Sequence, residues 1–439
     1  MIDPTFFKDK KVAFHTLGCK LNFVETSYIG KLLLDNGFKK AKSNEVADVC
    51  VVNTCSVTEV ADRKGRQAIK QMINKNPGAF VIVTGCYAQL KPEEISQIEG
   101  VDLILGSQQK FDIISHLAGL EKRKKALVLS SNRSEIKMFF PTCTRGDRTR
   151  YFLKVQDGCD YFCSYCTIPI ARGRSRNATV DDTVRQAKME AINGAKEIVI
   201  TGVNIGDFGK TTGETFLDLI KALDMVDGIQ RYRISSLEPD LLTDEIIAYT
   251  TNSTKFVPHF HIPLQSGNDE ILSLMKRRYN RALFADKVCQ IKSLMPNAFI
   301  GVDVIVGMNG ETLDRFEDSV CFLDSLDISQ LHVFSYSERP NTQALQIGME
   351  VSPVEKKRRS EVLHLLSEQK RLKFYGEQQG ATMDVLWEEK RSGDYMHGFT
   401  ANYVRVQRPY SKMLVNQITP VKLGDYNNDK SALMAVVGQ

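Results

Sequence analysis

The chain has 439 residues, a formal net charge of +5 and 42% hydrophobic residues. This length exceeds one ordinary core and predicts two to four domains of a globular protein, and the mildly basic charge permits a polyanionic partner without requiring one. The sequence has neither eighteen uninterrupted apolar residues nor the apolar region of a signal peptide near Met1, so we expect a cytoplasmic protein without a membrane partner.

Ten cysteines in a chain expected in a reducing compartment argue against a disulfide framework and for metal ligation by those that cluster. Six belong to two groups described below. Of the other four, Cys50 in a strand and Cys289 and Cys321 at apolar helix positions are predicted to be small buried thiols. Cys143, in a linker, is given no role.

Three apolar runs in the first third of the chain each predict a buried strand and each end in a cysteine. They are KVAFHTLGC at Cys19, ADVCVVNTC at Cys55 and AFVIVTGC at Cys86. Amphipathic helices are predicted between them, which indicates a parallel α/β domain over residues 1–135. The carboxyl ends of parallel strands lie at one edge of a sheet, so we expect these three cysteines to converge.

A second run of alternating elements follows a charged segment, 121–150, which predicts a linker and an edge element. Six strand candidates come next: YFLKVQ, EIVITG, RYRISS, HFHIPL, FIGVDVIV and QLHVFSY. Six βα repeats without antiparallel hairpins predict a barrel, or an open part of one, over 146–375, with its chemistry at the carboxyl ends of the strands. A charged helix closes this region, and short alternating runs over 376–439 predict a small all-β barrel or sandwich.

The segment DGCDYFCSYC places Cys159, Cys163 and Cys166 within eight residues, directly after the first strand of the second domain. They are too close together for disulfides to be their purpose and are one ligand short of a structural zinc site. Three thiolates fit a four-iron cluster that leaves one iron open for a substrate. A zinc site and unrelated core cysteines are the alternatives.

This triplet after a barrel strand resembles the radical S-adenosylmethionine superfamily, in which the cofactor chelates the open iron. Cys19, Cys55 and Cys86 match the ligands of the second cluster in the methylthiotransferases of that superfamily, and the closing β-domain resembles their TRAM module. The resemblance covers essentially the whole chain and implies two [4Fe-4S] clusters and S-adenosyl-L-methionine as cofactors. One cluster would generate a radical that removes hydrogen from an unactivated carbon, and the other would present methylated sulfur.

Further stretches match the family near the cofactor. The resemblance implies cofactor contacts for residues of SYC, TGVNIGDFG, SSLEP and HIPLQSGN, namely Tyr165, Gly202, Asn204, Glu238, His261 and Gln265. An ordinary βα turn at Gly202 and structural roles for the strand-end side chains are the alternatives. The chain departs from the family pattern at Met308-Asn309, where members have Phe-Pro, and at Ser335 and Asn341, where they have Pro and Gly. These changes affect turn rigidity.

The stretch TLGCKLNFVET, residues 16–26, is similar to family enzymes that act on N6-threonylcarbamoyladenosine at position 37 of tRNA. The type that modifies a ribosomal-protein aspartate has Pro where this chain has Lys20. The resemblance therefore implies a tRNA methylthiotransferase that modifies C2 of this nucleoside. The alternatives are methylthiolation of isopentenyladenosine in tRNA or of the aspartate, and a non-catalytic iron–sulfur protein that binds RNA.

An RNA substrate needs phosphate contacts and exposed aromatic or arginine planes. The candidates are Arg172, Arg174 and Arg176 after the triplet, the run Lys356 to Arg359, and, in the last domain, Tyr395, Phe399, Tyr403 and Arg405. Solvated helix faces and core aromatics also produce such patterns. Residues 376–439 hold seven acidic and seven basic side chains, so the net charge of this domain does not indicate a binding surface for RNA. We expect a monomer, and the sequence indicates neither the sulfur donor nor the reductant.

Overall fold

The computed structural model describes residues 7–117, 120–145 and 149–436. The strands of its first unit are β1 Lys11–Thr16, β2 Lys39–Lys40, β3 Val49–Thr54, β4 Phe80–Gly85, β5 Leu103–Leu105 and β6 Leu127–Leu129. The helices are α1 Lys20–Asp35, α2 Glu59–Lys75, α3 Cys86–Leu90 and α4 Pro92–Ser96, with 3-10 segments at Gln109–His116 and Arg133–Glu135. The strands form one parallel sheet in the order β2-β1-β3-β4-β5-β6, which confirms the predicted parallel α/β unit.

Strand β3 shows why this sheet is buried on both faces. Val49 and Val51 pack in the same cluster as Ile29 of α1, while the alternate residue Val52 packs with Ile69 of α2. Successive side chains of a strand point to opposite faces, so α1 and α2 cover the sheet from opposite sides. The continuous apolar runs of the sequence follow from this two-sided burial.

The second unit contains all six predicted barrel strands. Its strands are β7 Thr142–Thr144, β8 Tyr151–Lys154, β9 Gln156–Asp157, β10 Arg176–Asn177, β11 Glu197–Thr201, β12 Arg231–Ile234, β13 His259–Gln265, β14 Phe299–Val306 and β15 Gln330–Ser335. Its helices are α5 Ile168–Arg172, α6 Val180–Ile192, α7 Phe216–Asp224, α8 Asp244–Asn252, α9 Asp269–Leu274, α10 Arg281–Leu294, α11 Leu313–Ser325 and α12 Pro353–Gly376, with 3-10 segments at Ile205–Asp207 and Gln343–Gln346.

These strands form two parallel groups, β12-β11-β8 and β13-β14-β15, which two bridges connect, Tyr232 to Phe256 and Ser236 to His261. The expected absence of antiparallel pairs is wrong, because β7 pairs antiparallel with β8 and β9 with β10. The segment predicted to be a linker therefore supplies an edge strand to each sheet, β6 to the first and β7 to the second, and occupies edges that would otherwise be open.

The third unit is a closed five-stranded barrel, which decides between the predicted barrel and sandwich. Its strands are β16 Thr382–Ser392, β17 Tyr395–Thr400, β18 Arg405–Pro409, β19 Ile418–Tyr426 and β20 Leu433–Val436, with a 3-10 turn at Lys412–Leu414, and their order is β16-β17-β18-β20-β19. Trp387 is fully buried in its core and donates its indole N–H to Thr419 at 2.9 Å.

The small barrel lies at the amino ends of the central strands of the second unit. Arg231 and Arg233 of β12 donate to the backbone oxygens of Asp384 and Ala401 at 2.7 and 3.0 Å. The ring of His259, at the start of β13, lies 4.7 Å from the ring of Tyr403. The small barrel therefore covers the end of the second unit opposite to its carboxyl edge.

The first sheet is joined to the second unit by buried polar contacts. Arg339, which follows β15, donates to Asp62 of α2 at 2.8 Å, and Ser107 donates to the carbonyl of Ala171 in α5 at 2.7 Å. Among the described residues, no helix has the length and apolar content that crossing a bilayer requires. The boundaries 1–135, 146–375 and 376–439 stay predictions.

Candidate active site

The cysteines of the first sheet converge at its carboxyl edge. Cys55 and Cys86 follow β3 and β4 directly, and Cys19 immediately precedes α1. Gly18 and Gly85 make the convergence possible, because both have left-handed φ angles, +103° and +99°. A Cβ at Gly18 would lie 2.7 Å from the Cβ of Cys55, and one at Gly85 would lie 2.2 Å from the carbonyl oxygen of Thr54. Only glycine fits these two turns.

The three thiols of this edge affect one another electrostatically. Burial, and after it the neighbouring Cys86 and Cys19, raise the pKa of Cys55 to about 12. Burial also raises the pKa of Cys86, which the positive charge of Arg172 opposes. A bound metal deprotonates coordinating thiols, so two buried thiols and the exposed Cys19 at one sheet edge provide a donor set for a cationic metal group.

The second triplet lies on the loop between β9 and α5, at the carboxyl edge of the second unit. Gly158, with φ of +74°, starts this loop, and a Cβ there would lie 1.9 Å from the carbonyl oxygen of Arg174. The backbone N–H of Cys159 donates to Gly173 at 3.1 Å, and that of Cys166 donates to Cys163 at 3.0 Å. These bonds close the loop so that its three thiols face one another.

Each sulfur of this loop accepts a hydrogen bond. The N–H groups of Tyr161 and Ile168 donate to Cys159 and Cys166, both at 3.4 Å, and Arg277 donates to Cys163 at 3.0 Å. Burial, with a smaller contribution from Cys163, raises the pKa of Cys159 and Cys166 to about 12. Donors directed at sulfur are typical of thiolate-ligated clusters, so this loop fits a cluster with one open iron.

A buried charge network connects the two triplets. Glu25 of α1 pairs with Lys110, Lys154 and Arg172 at 2.8, 3.1 and 2.9 Å. Asp157 pairs with Lys154, Arg172 and Arg176 at 2.7, 3.1 and 3.3 Å. The carboxylate side chains are only 1% exposed, and the four cations are 2–6% exposed.

This network carries more positive than negative charge, because four cations surround two carboxylates. Arg172 also donates to the Asn22 Oδ1 at 2.7 Å, an atom that lies 3.8 Å from the sulfur of Cys19. The positive charge of Arg172 therefore partly offsets the rise that burial causes in the pKa of Cys86, because it stabilises the thiolate, which carries the opposite charge.

The network contradicts the prediction that Arg172 and Arg176 contact substrate phosphates. Both guanidinium groups are buried and pair with carboxylates inside the protein. Arg174 is the exposed member of the three. Because a charge run usually indicates a solvated surface, the burial of two of these arginines was not apparent from the sequence.

The other predicted RNA contacts occupy different surroundings. Arg359 is buried and pairs with Glu311 at 2.9 Å, while Lys357 is exposed, and Tyr395 of the small barrel is 39% exposed. Phe399 and Tyr403 stack at 4.8 Å, and Arg150 lies over the Phe399 ring at 4.7 Å.

Tyr403 and Arg405 belong to the small barrel and lie on its side that faces the amino ends of the strands of the second unit. Burial alone would raise the pKa of Tyr403, but the charges of Arg150 and Arg233 hold it below its usual value. The backbone N–H of Arg405 donates to the Tyr375 hydroxyl at 3.1 Å. Tyr403 therefore belongs to an electropositive space under the barrel rather than to the outer surface.

Of the residues predicted to contact the cofactor, Gly202, Asn204, Glu238 and Gln265 follow or end barrel strands, Tyr165 lies on the Cys159 loop, and His261 lies within β13. Asn204 is 2% exposed, and neither atom of its side-chain amide has a hydrogen-bond partner among the described residues. Burying an unpaired amide is costly, so Asn204 fits a position that a polar ligand completes. Gln265 ends β13 with a left-handed φ of +71°, a conformation uncommon outside glycine.

Glu238 and Gly202 have close neighbours within the protein, and their predicted cofactor contacts stay predictions. Glu238 forms an ion pair with Arg277, and burial raises its pKa to about 7. A Cβ at Gly202 would lie 2.7 Å from the side chain of Ile205, so close packing in this βα turn already requires a glycine. Tyr165 packs against the apolar cluster that contains Met308.

His261 lies in a polar cluster that the sequence did not reveal. It bonds through Nδ1 to the Ser236 hydroxyl at 3.1 Å and through Nε2 to Asp303 at 2.7 Å. The ring of His332 lies 5.0 Å from that of His261. Asp303 and His332 are the polar positions of β14 and β15, and this alternation was the one available signal for them. Arg277 had no such signal.

The cysteines outside the triplets divide into two classes. Cys50 and Cys143 are buried, and burial raises the pKa of Cys143 well above its usual value. Cys289 and Cys321 are exposed, so their predicted burial is wrong. The core face of α10 runs through Phe284, Val288 and Ile291, and Cys289 lies one residue off that face.

The departures from the family pattern have structural explanations. Met308 is fully buried in an apolar cluster with Ile271 and Ala344. Asn309 donates to the carbonyls of Ala344 and Ile347 at 3.3 and 3.2 Å, and Asn341 takes the left-handed φ of +64° that glycine would otherwise supply. Packing, hydrogen bonds and a left-handed residue therefore stabilise the turns at these strand ends.

Two family models match the chain. The radical SAM superfamily model matches residues 153–323, and the model described as uncharacterized protein family UPF0004 matches residues 11–106. The first covers the barrel strands and the Cys159 loop, and the second covers the sheet that carries Cys19, Cys55 and Cys86.

Similar proteins extend over almost the full length. The chain is 36% identical to the threonylcarbamoyladenosine tRNA methylthiotransferase MtaB of Bacillus subtilis, over 94% of this chain and 93% of the relative, and 37% identical to that of Aquifex aeolicus, over 91% and 96%. It is 31% identical to a tRNA-2-methylthio-N(6)-dimethylallyladenosine synthase of Syntrophus aciditrophicus, over 87% and 84%. Among solved structures, the radical S-adenosylmethionine methyltransferase TsrM of Kitasatospora setae shares the fold, with a TM-score of 0.57, 13% identity, and coverage of 76% and 77%.

Proposed function

Because this chain belongs to the MtaB-type radical S-adenosylmethionine methylthiotransferases, we propose that it adds a methylthio group to C2 of N6-threonylcarbamoyladenosine at position 37 of tRNA. The observation that supports this most is the presence of two separate cysteine triplets, on the facing edges of two sheets, connected by one buried charge network. A protein with one radical-generating site would need only the triplet of Cys159, Cys163 and Cys166.

We assign one [4Fe-4S] cluster to each triplet. When bound, S-adenosylmethionine and the two clusters supply a 5′-deoxyadenosyl radical and methylated sulfur, chemistry that side chains cannot provide. The protein's own groups hold and shield these reactants. Arg277 connects the loop that carries Cys159, Cys163 and Cys166 to the segment after β12, since it donates to Cys163 and forms an ion pair with Glu238.

Other residues near the triplet of Cys159, Cys163 and Cys166 are assigned to binding of the cofactor and the substrate. The unpaired amide of Asn204 is available to a polar part of the cofactor, and we assign the hydrogen-bonded pair of His261 and Asp303 to contacts with the substrate. Fixed donors of this kind orient a bound group without reorganising when it reacts.

The choice of nucleoside depends on the relatives. Relatives named for threonylcarbamoyladenosine are 32–37% identical to this chain, and relatives named for dimethylallyladenosine are 30–31% identical. Isopentenyladenosine is therefore the second candidate substrate. Exposed Arg174 and Tyr395 are proposed to contact the RNA around the modified base.

Deletion of the gene in its host is expected to remove 2-methylthio-N6-threonylcarbamoyladenosine from tRNA and to leave its unmethylthiolated precursor in place. Mass spectrometry of tRNA nucleosides measures both. A plasmid copy of the wild type should restore the product, and a copy with Cys86→Ala should not.

An unchanged nucleoside profile in the deletion strain would contradict the proposal. Loss of the methylthio form of isopentenyladenosine instead would move the assignment to the second candidate. Because both nucleosides are detected in the same digest, the strain provides its own control.

A further inference from the structure

Three polar side chains face one another on adjacent strands of the second parallel group of the barrel. His261, Asp303 and His332 lie on β13, β14 and β15. The strand register places His332 beside Asp303, and it places His261 beside Gly301, two residues before Asp303. Alternate residues of a strand point to the same side of a sheet, so the three side chains share one face.

The shared face is the inner face of the barrel. Val302 and Val304, which alternate with Asp303 along β14, pack in the apolar core together with Phe284 of α10. The opposite face, with Asp303, is therefore turned away from the surrounding helices. The side chains of His261 and Asp303 are 18% exposed although both lie on β-strands of the barrel, so the cluster is open to solvent.

The donor atoms of the three side chains are close enough to share one metal ion. One ring nitrogen of each histidine and one carboxylate oxygen of Asp303 all lie within 4.8 Å of one another. The ligand atoms of a tetrahedral ion lie about 3.3 Å apart, so adjustments of at most about 1.5 Å complete the set. Gly301 keeps the space beside them open, since a Cβ there would lie 3.5 Å from Nε2 of His332.

Ser236 orients the imidazole ring of His261. Its hydroxyl lies 3.1 Å from Nδ1, while Nε2 lies 2.7 Å from Oδ1 of Asp303. When Nδ1–H donates to the hydroxyl, Nε2 is left with a lone pair beside a carboxylate oxygen, and a cation bound to both atoms satisfies both. Metal-ligating histidines are typically held in this way, by a hydrogen bond at the second ring nitrogen.

His332 completes the donor set because its ring has no other polar contact. Neither of its nitrogens forms a hydrogen bond within the described part of the chain, and its ring lies 5.0 Å from that of His261. Polar groups in a protein interior are rarely left without a partner, so the ring of His332 is available to a ligand.

We propose that His261, Asp303 and His332 bind a divalent transition-metal ion, such as Zn²⁺ or Fe²⁺, separate from the iron–sulfur clusters. Two imidazoles and one carboxylate leave further positions of the ion open, as in catalytic zinc and non-haem iron sites. Water or a substrate oxygen occupies these positions, so the substrate contacts assigned to His261 and Asp303 pass through the ion. This site goes beyond the proposed function, and its test requires no turnover.

The test titrates the protein with Co²⁺ after both clusters have been reconstituted and loosely bound iron has been removed with EDTA and desalting. Oxidised [4Fe-4S] clusters give no electron paramagnetic resonance signal, so high-spin Co²⁺ is observed directly. We expect one bound Co²⁺ per chain, with modulation from imidazole nitrogen in the pulsed spectrum. One equivalent of Zn²⁺ should displace it.

Three variants measure the contribution of the named side chains. Partners that orient a metal ligand are each worth about 10- to 100-fold in affinity, so Ser236→Ala should weaken Co²⁺ binding about 10-fold. Loss of a ligand in Asp303→Asn or His332→Ala should weaken it about 100-fold or more. Asp303→Asn keeps the shape of the side chain, so it provides the result even if His332→Ala does not fold.

His364→Ala is the matched control, because His364 is an exposed histidine of α12. It should bind Co²⁺ as the wild type does, and iron content shows whether each variant keeps its clusters. The lack of a stoichiometric Co²⁺ site in the wild type would overturn the proposal. A site whose affinity is unchanged in Asp303→Asn would also overturn it.

Discussion

Replacement of Cys163 with alanine is expected to reduce the formation of 5′-deoxyadenosine from S-adenosylmethionine to the level of an assay without enzyme. Cys163 is one of three thiols on the loop between β9 and α5, and Arg277 bonds to its sulfur at 3.0 Å. A four-iron cluster with only two protein ligands is not held in place, so the cofactor has no iron to bind. The measurement is chromatography of the reconstituted, dithionite-reduced protein.

A cysteine of the other triplet should give a different result. Cys86→Ala is expected to keep 5′-deoxyadenosine formation and to lose about half of the bound iron and all of the methylthio product. Cys289→Ala is the control, since this thiol is exposed and lies outside both triplets. Production of 5′-deoxyadenosine by Cys163→Ala at the wild-type rate would show that the loop has another purpose.

Glu25→Gln is expected to lower the thermal unfolding midpoint by about 10 °C, from a loss of roughly 3–5 kcal/mol of stability. Glu25 pairs with Lys110, Lys154 and Arg172 within 3.1 Å, and all four side chains are at most 2% exposed. The neutral amide leaves three buried cations with Asp157 as their remaining carboxylate. Differential scanning calorimetry measures the change.

Asp35→Asn in the same helix is the control for this experiment, because Asp35 is exposed and such surface changes stay within about 0.5 kcal/mol. The dependence on pH gives a second readout. The three cations hold the pKa of Glu25 well below its ordinary 4.5, against the effect of burial. Its contribution to stability is therefore present above that value and is lost as the pH falls below it.

In Glu25→Gln this acid-dependent loss should be smaller than in the wild type. An unfolding midpoint that shifts no more than that of Asp35→Asn would mean that the network contributes little. Such a result would also remove the argument that its excess charge supports the neighbouring thiolates.

The placement of the cysteine triplets could be predicted because it depends on local features. An apolar run that ends in cysteine defines a strand end, and strand ends of a parallel sheet share one edge, so Cys19, Cys55 and Cys86 were expected together. The same reasoning placed Cys159, Cys163 and Cys166 at the carboxyl edge of the barrel.

The charge network could not be predicted, because its members come from separate elements. Glu25, Lys110, Asp157 and Arg172 are spread over about 150 positions, and each alone resembles a solvated surface residue. Only the folded structure shows that their opposite charges form ion pairs in the interior. The predicted phosphate contacts of Arg172 and Arg176 were wrong for this reason.

Whether a helix residue is buried also depends on its position around the helix axis, and not only on the average hydrophobicity of the segment. Cys289 stands next to Val288, and a shift of one residue turns a side chain by 100° around the helix, from the core into solvent.

The most direct test of the central claim is a single reaction with defined RNA. The reconstituted protein is incubated with S-adenosylmethionine, dithionite and two anticodon stem-loops, one carrying N6-threonylcarbamoyladenosine and the other isopentenyladenosine at position 37, and the nucleosides are analysed by mass spectrometry. We predict that the threonylcarbamoyl nucleoside acquires a methylthio group while the isopentenyl nucleoside stays unchanged. Formation of 5′-deoxyadenosine without methylthiolation of either RNA, or methylthiolation of the isopentenyl nucleoside alone, would contradict the account.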